Sequence, residues 1–268
     1  MVIVCINSRF MAVKLHHVCF ENTGAPAIVL LHGLLGSSRN WMTIAKELHA
    51  DYAVHLLDMR NHGLSPHAHS MRWSELVADL KAYLVAENLN CIHLVGHSLG
   101  GKVAMRFACE YPDLVERLVI IDIAVKAYSS LNDVEFRAML SIDVSELSSR
   151  TQAEELLESQ VSEWAMRQFL LTNLVRDQEL GSYRWQINLR SLHANPSQLR
   201  EDPLLEGHRF EKPVLLLRAG KSNFIEDTDI EIMQSRFPSL EVVMIPSAGH
   251  NIHVDDRRAF MSALQRWM

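Results

Sequence analysis

The 268-residue sequence predicts an α/β fold in which a mostly parallel central sheet carries helices on both faces. Two observations predict the sheet, and a third predicts an inserted helical cap. First, continuous apolar runs such as Ala27-Ile28-Val29-Leu30-Leu31 and Pro213-Val214-Leu215-Leu216-Leu217 suit strands covered on both faces, with helical spacings between them. Second, Cys91 to Val95 leads into Gly96-His97-Ser98-Leu99-Gly100 and then into the helical spacing of Lys102 to Ala108. That is the strand, tight turn and helix in which a serine hydroxyl is exposed above a sheet. Third, the alternation lapses between about 125 and 208 into polar amphipathic helices. The expected division is a core of 1–124 and 209–268, with 125–208 as the cap.

Taken in order, Val13 to Glu21 reads as a strand closed by Asn22-Thr23-Gly24, and the apolar run 27–31 ends at His32-Gly33-Leu34. A short helix is expected from Trp41 to His49 and a strand from Tyr52 to Asp58. Leu76, Val77, Leu80, Tyr83 and Leu84 give the next helix one apolar face. Glycines are required at 96 and 100, because side chains there would collide with the neighbouring strand and helix. Arg117 to Asp122 rebuilds a buried strand ending in a carboxylate, in the zone beyond the strand ends where ligand sites of such sheets gather.

Within the insertion, Thr151-Gln152-Ala153-Glu154 has capping-box spacing and opens a helix. Trp164, Met166, Phe169, Leu170, Leu171 and Leu174 make an apolar surface wider than one solvent-facing helix needs. They suit either the lining of an acyl pocket or the insertion's own small core. Tyr183 to Asn188 reads as a short strand. The sheet resumes at Pro213 to Gly220 and ends at Leu240 to Ile245, with a helix from Asp229 to Phe237 between them. Gly249-His250 and a closing helix from Asp255 to Trp267 complete the chain.

Composition narrows the function classes. A hydrophobic content of 48% supports one large core, and a net charge of −6 argues against a surface that tracks nucleic-acid phosphates. The four cysteines, Cys5, Cys19, Cys91 and Cys109, lack metal or redox spacing and are expected as reduced core residues of a cytoplasmic protein. His62, His67 and His69 have no carboxylate or cysteine at zinc spacing, so solvent-exposed loop histidines are expected and no metal. Residues 1–10 lack the marks of a secretory leader and suit an extension or a part of the core. No run reaches the roughly 20 apolar residues that a membrane span needs.

The residues His32 to Ser37, Asp58 to Ser65, Gly96 to Gly100, Ile121 to Ala124 and Gly249-His250, in that order, resemble the α/β-hydrolases. More narrowly they resemble the YbfF-like branch of small bacterial esterases and acyl-CoA thioesterases. That resemblance implies the α/β-hydrolase fold, a nucleophile at Ser98 and a general base at His250 after the last strand. It also implies an oxyanion hole from the backbone N–H groups of Leu34 and Leu99. Asp58 and Arg60 are read as a loop brace. Many hydrolases of this fold place the triad acid in a Gly-x-Asp after the strand that follows the cap, but Gly220-Lys221-Ser222 stands there. Asp122 is the preferred acid, because a strand end fixes its position and the branch associates the matching aspartate and serine with the site. Ser222 is then a possible accessory hydrogen-bonding group. Asp227, Asp229 and Glu226 are the alternatives.

The expected activity is cleavage of carboxylic esters or thioesters, acyl-CoA among them, through an acyl-enzyme on Ser98. The partner is a small acyl ester or thioester, with no cofactor. Carbon–carbon bond hydrolysis, perhydrolysis and a non-catalytic receptor on the same fold are the competing functions.

Overall fold

The computed structural model describes residues 12–129, 132–177, 181–195 and 200–268. Cys5 and residues 1–10 lie outside them. The central sheet has seven strands: β1 (His17–Phe20), β2 (Ala27–Leu31), β3 (Ala53–Leu57), β4 (Ile92–His97) and β5 (Val115–Ile121), joined after the small β6 (Leu174–Arg176) and β7 (Tyr183–Trp185) pair by β8 (Val214–Ala219) and β9 (Leu240–Ile245). The order across the sheet is β1-β3-β2-β4-β5-β8-β9, with only β1 antiparallel to its neighbour. Strands β2, β4, β5 and β8 are mostly buried, which is why apolar residues dominate them.

Helices α1 (Met42–Leu48), α2 (Trp73–Ala86) and α3 (Leu99–Glu110) precede the insertion. It holds α4 (Asp133–Leu140), α5 (Arg150–Glu158), α6 (Trp164–Leu171) and α7 (Leu189–Ala194). Helices α8 (Asp227–Arg236), α9 (Ile252–Asp255) and α10 (Arg257–Trp267) follow β8 and β9. The sheet divides the core in two. Ile44, Leu48, Phe260 and Leu264 of α1 and α10 cover one face, while α2, α3 and α8 cover the other through Leu76, Leu80, Phe107 and Met233. None of the described helices is long and apolar enough to cross a membrane.

Four local expectations change. The N-cap of α5 is Ser149, whose hydroxyl accepts the Gln152 N–H, so the cap falls two residues before Thr151. Leu174 leaves the helical surface and pairs with Trp185 across β6 and β7. Cys19 and Cys91 are exposed and Cys109 is half-buried: β1 is an edge strand with an open face, and Cys91 precedes β4 on the surface. His62 is fully buried, unlike the exposed His67 and His69, because the loop it occupies folds inward around Asp58.

That inward fold is the brace expected of Asp58 and Arg60. The Asp58 carboxylate accepts N–H bonds from Ser38 at 2.6 Å and Leu64 at 2.9 Å and pairs with His16 Nδ1 at 2.9 Å. Arg60 binds both oxygens of Asp79, at 2.6 and 2.8 Å. A second brace is Lys102, one turn past Ser98 on α3 and only 1% exposed. Its ammonium donates to the carbonyls of Lys126 at 3.0 Å, Arg200 at 3.2 Å and Glu201 at 2.7 Å, and lies 4.7 Å from the Tyr128 ring centre. Burial pulls its pKa down to about 8.

Candidate active site

In a parallel sheet the carboxyl ends of neighbouring strands lie side by side, so the register decides which loops meet. Leu31 pairs with Gly96, His97 with Ile121, Ile121 with Leu217 and Ala219 with Ile245. The segments after these residues carry Gly33-Leu34, Ser98, Asp122, Lys221-Ser222 and His250. Ser98, His250, Leu34 and Lys221 all line one cavity of about 420 Å³.

Ser98 adopts φ 51° and ψ −116°, a conformation that side chains rarely take and that costs about 1–3 kcal/mol. The surroundings enforce it. The Ser98 N–H donates to Ile121 C=O at 3.1 Å, and the Gly100 N–H donates to His32 C=O at 3.1 Å. A Cβ on Gly96 would stand 2.3 Å from the Gly100 oxygen, and one on Gly100 would stand 2.5 Å from the Leu31 oxygen, so only glycine fits at either place. The serine is thereby lifted to the N-terminus of α3, where unpaired N–H groups and the helix dipole favour negative charge. The N–H groups of Leu34 and Leu99 take no part in the described turn and loop bonds.

Asp122 bends the chain away from β5 at φ 46° and is 1% exposed. One carboxylate oxygen accepts the Ala219 N–H at 3.0 Å, and the other stands 2.9 Å from His250 Nδ1. A ring that donates from Nδ1 to this carboxylate keeps Nε2 free to take a proton. The other candidate acids are engaged elsewhere: Asp227 with Arg218 at 2.5 Å, and Asp229 with Lys126 at 2.6 Å, while Glu226 is largely exposed. Ser222 does not reach His250 in any described hydrogen bond; its hydroxyl accepts the Phe224 N–H at 3.2 Å.

Four residues to which the sequence assigned no role at the site complete the surroundings. His97 donates from Nε2 to the His250 carbonyl at 2.9 Å, fixing the loop that carries His250, and burial holds its pKa well below the ordinary histidine value. His253 packs 4.3 Å from the Trp41 ring centre, is held neutral by burial with a pKa pushed down to about 3, and has no partner for Nδ1 among the described residues. His62 sets the loop after β2, since its Nε2 accepts the Leu35 N–H at 3.2 Å while Nδ1 donates to Arg60 C=O at 3.0 Å. Asn173, from the insertion, donates to the Leu35 carbonyl at 2.9 Å. A His in the Asp58 to Ser65 segment was visible in the sequence, but nothing there signalled its burial.

The cavity wall is apolar along Leu34, Trp41, Met166, Phe169 and Val254. Met166 and Phe169 come from α6, so the insertion contributes to the lining, whereas Leu170 and Leu171 of the same helix are fully buried in its packing. One helix thus presents residues both to the cavity and to the main packed core. Trp164 does neither, being 63% exposed.

A family model described as the alpha/beta hydrolase fold matches residues 26–257, so the chain belongs to the α/β-hydrolase family. Among its relatives, the zebrafish (Danio rerio) protein named sn-1-specific diacylglycerol lipase ABHD11 is 36% identical over 94% of this chain and 81% of that protein. Esterase YbfF of Escherichia coli is 30% identical over 90% of this chain and 92% of its own length, in line with the expected branch. A solved structure described as a marine microorganism esterase superposes with a TM-score of 0.92 at 34% identity, covering 96% of this chain and all of that one.

Proposed function

We propose that this esterase-type hydrolase cleaves carboxylic esters or thioesters through an acyl-enzyme on Ser98. The observation that carries the reading is the 2.9 Å contact of His250 Nδ1 with Asp122, made while His250 and Ser98 face the same cavity. His250 Nε2 takes the Ser98 proton as Oγ attacks the acyl carbon. The Leu34 and Leu99 N–H groups bind the resulting oxyanion, each such donor being worth roughly 10²–10³ in rate. Asp122 holds the ring in the useful tautomer and stabilises the imidazolium. That imidazolium then gives its proton to the departing alcohol or thiol, and water, deprotonated by His250, releases the acid.

The apolar wall of Met166, Phe169 and Val254 suits the acyl chain, with residues 125–208 acting as a cap over the cavity. The free cysteines Cys19, Cys91 and Cys109 fit a cytoplasmic setting. Incubation with a fluorophosphonate followed by mass spectrometry tests the nucleophile: one adduct on Ser98 is expected, whereas an unlabelled protein would favour a receptor. A panel of p-nitrophenyl esters and acyl-CoAs of rising chain length then separates ester from thioester specificity. Products cut at a carbon–carbon bond would instead favour the competing hydrolysis.

A further inference from the structure

The loop after β8, where the Gly-x-Asp pattern is absent, brings an aromatic face to the site instead of a carboxylate. Phe224 lies flat against the His250 imidazole, with ring centres 3.7 Å apart and planes 14° from parallel. Its backbone is held on both sides. The Phe224 N–H donates to Ser222 Oγ at 3.2 Å, and its carbonyl accepts the Tyr128 hydroxyl at 2.9 Å. That hydroxyl oxygen also accepts the Ala124 N–H at 2.9 Å, tying the Phe224 loop to the chain just after Asp122.

Given His250 as the base of the function proposed above, we infer that Phe224 is a positioning residue for it. Its ring fixes the plane of the imidazole, and its π face stabilises the imidazolium formed when Ser98 loses its proton. A hydrogen bond at Nδ1 alone leaves the ring free to tilt about that contact, and a flat neighbour removes this freedom. A cation over an aromatic face is attracted by the ring quadrupole.

The charges around His250 leave room for this contribution. From the end of β5 comes the Asp122 carboxylate, and from the end of β4 the His97 ring, 4.7 Å away. His253 of α9 stands 5.0 Å beyond His97. Burial keeps His97 and His253 neutral, the latter down to about pH 3, so neither repels an imidazolium at His250 near neutral pH. Lys221 in the Phe224 loop, Glu163 before α6 and Asp255 of α9 line the same cavity; one Asp255 oxygen accepts the Gly249 N–H at 2.8 Å.

The test compares Phe224→Leu, which keeps an apolar side chain without a π face, with Phe224→Trp, which restores one. For Phe224→Leu, kcat on a p-nitrophenyl ester should fall about tenfold with KM within about twofold, the scale of a desolvated cation–π contact. Loss of the π face favours the neutral imidazole, so the acid limb of kcat/KM should move about half a pH unit lower. Phe224→Trp should recover both. The His250 ring titration, followed by NMR in the resting protein, should move in the same direction without any turnover. Unchanged kcat and an unchanged His250 titration in Phe224→Leu would overturn the inference, as would Phe224→Trp being equally impaired. Should wild-type protein cleave no ester and resist fluorophosphonate, the hydrolase reading fails by itself, and the NMR comparison still decides whether the ring face acts on His250.

Discussion

His250 Nδ1 and Asp122 Oδ2 stand 2.9 Å apart across 128 residues of chain, and the other Asp122 oxygen is occupied by the Ala219 N–H at 3.0 Å. Asp122→Asn keeps one oxygen for Ala219 but turns an NH2 group toward His250, which forces the proton onto Nε2. Turnover should fall by about 10⁴, as in triads whose acid is neutralised, with little change in melting temperature. Asp227→Asn, at a residue 91% exposed, should turn over normally. Steady-state kinetics on both variants decide the assignment; near-normal turnover in the first with loss in the second would reverse it.

His62→Phe removes the acceptor of the Leu35 N–H, one residue from the Leu34 N–H assigned to the oxyanion hole. An unpaired buried N–H costs about 1–3 kcal/mol, so stability should drop by that order. Affinity for a boronic acid that mimics the tetrahedral adduct should fall in step with kcat/KM. A variant with lower stability but undiminished boronate affinity would restrict His62 to bracing.

Acid stability follows from His62 and His253, whose burial keeps both neutral down to about pH 3. Unfolded, each takes up a proton near pH 6.5, so between about 6.5 and 3 the unfolded chain binds more protons than the native one. Stability is therefore lost as pH falls through this window, each histidine adding a slope of up to about 1.4 kcal/mol per pH unit. His253→Phe, whose new ring meets Trp41 and Phe260, should flatten that slope. Denaturant midpoints at pH 7, 6 and 5 would expose parallel curves if the site had no such effect.

Met166→Trp should shorten the acyl chain accepted by the enzyme, because the added volume enters the cavity that Ser98 and His250 also line. Acyl-chain profiles of the variant and wild type, compared on one leaving group, read this directly. An identical profile would remove α6 from the acyl site.

How much of this was legible in the sequence depended on range. Strands β2, β4, β5 and β8 were readable because burial on both faces makes most of their positions apolar, and the elbow because only glycine tolerates the contacts at 96 and 100. The fold class and its family followed from these. Asp122 remained one of several acids, since its approach to His250 depends on the neighbouring positions of β5, β8 and β9, which no local pattern states. His62 escaped because a loop residue is buried only by what folds over it. The Thr151 spacing misplaced the start of α5 because the Ser149 hydroxyl, two residues earlier, accepts the Gln152 N–H.

Two of the three carbonyls gathered on the Lys102 ammonium, those of Arg200 and Glu201, lie far along the chain from the third, that of Lys126. That knot beside Ser98, closed by the Tyr128 N–H donating to Arg200 C=O, is joined by further ties from the intervening stretch to the core loops: Asn173 to Leu35, and Asn188 and Ser191 to Ala68. A stretch tied to the core at several points is held beside the cavity as part of one packed body.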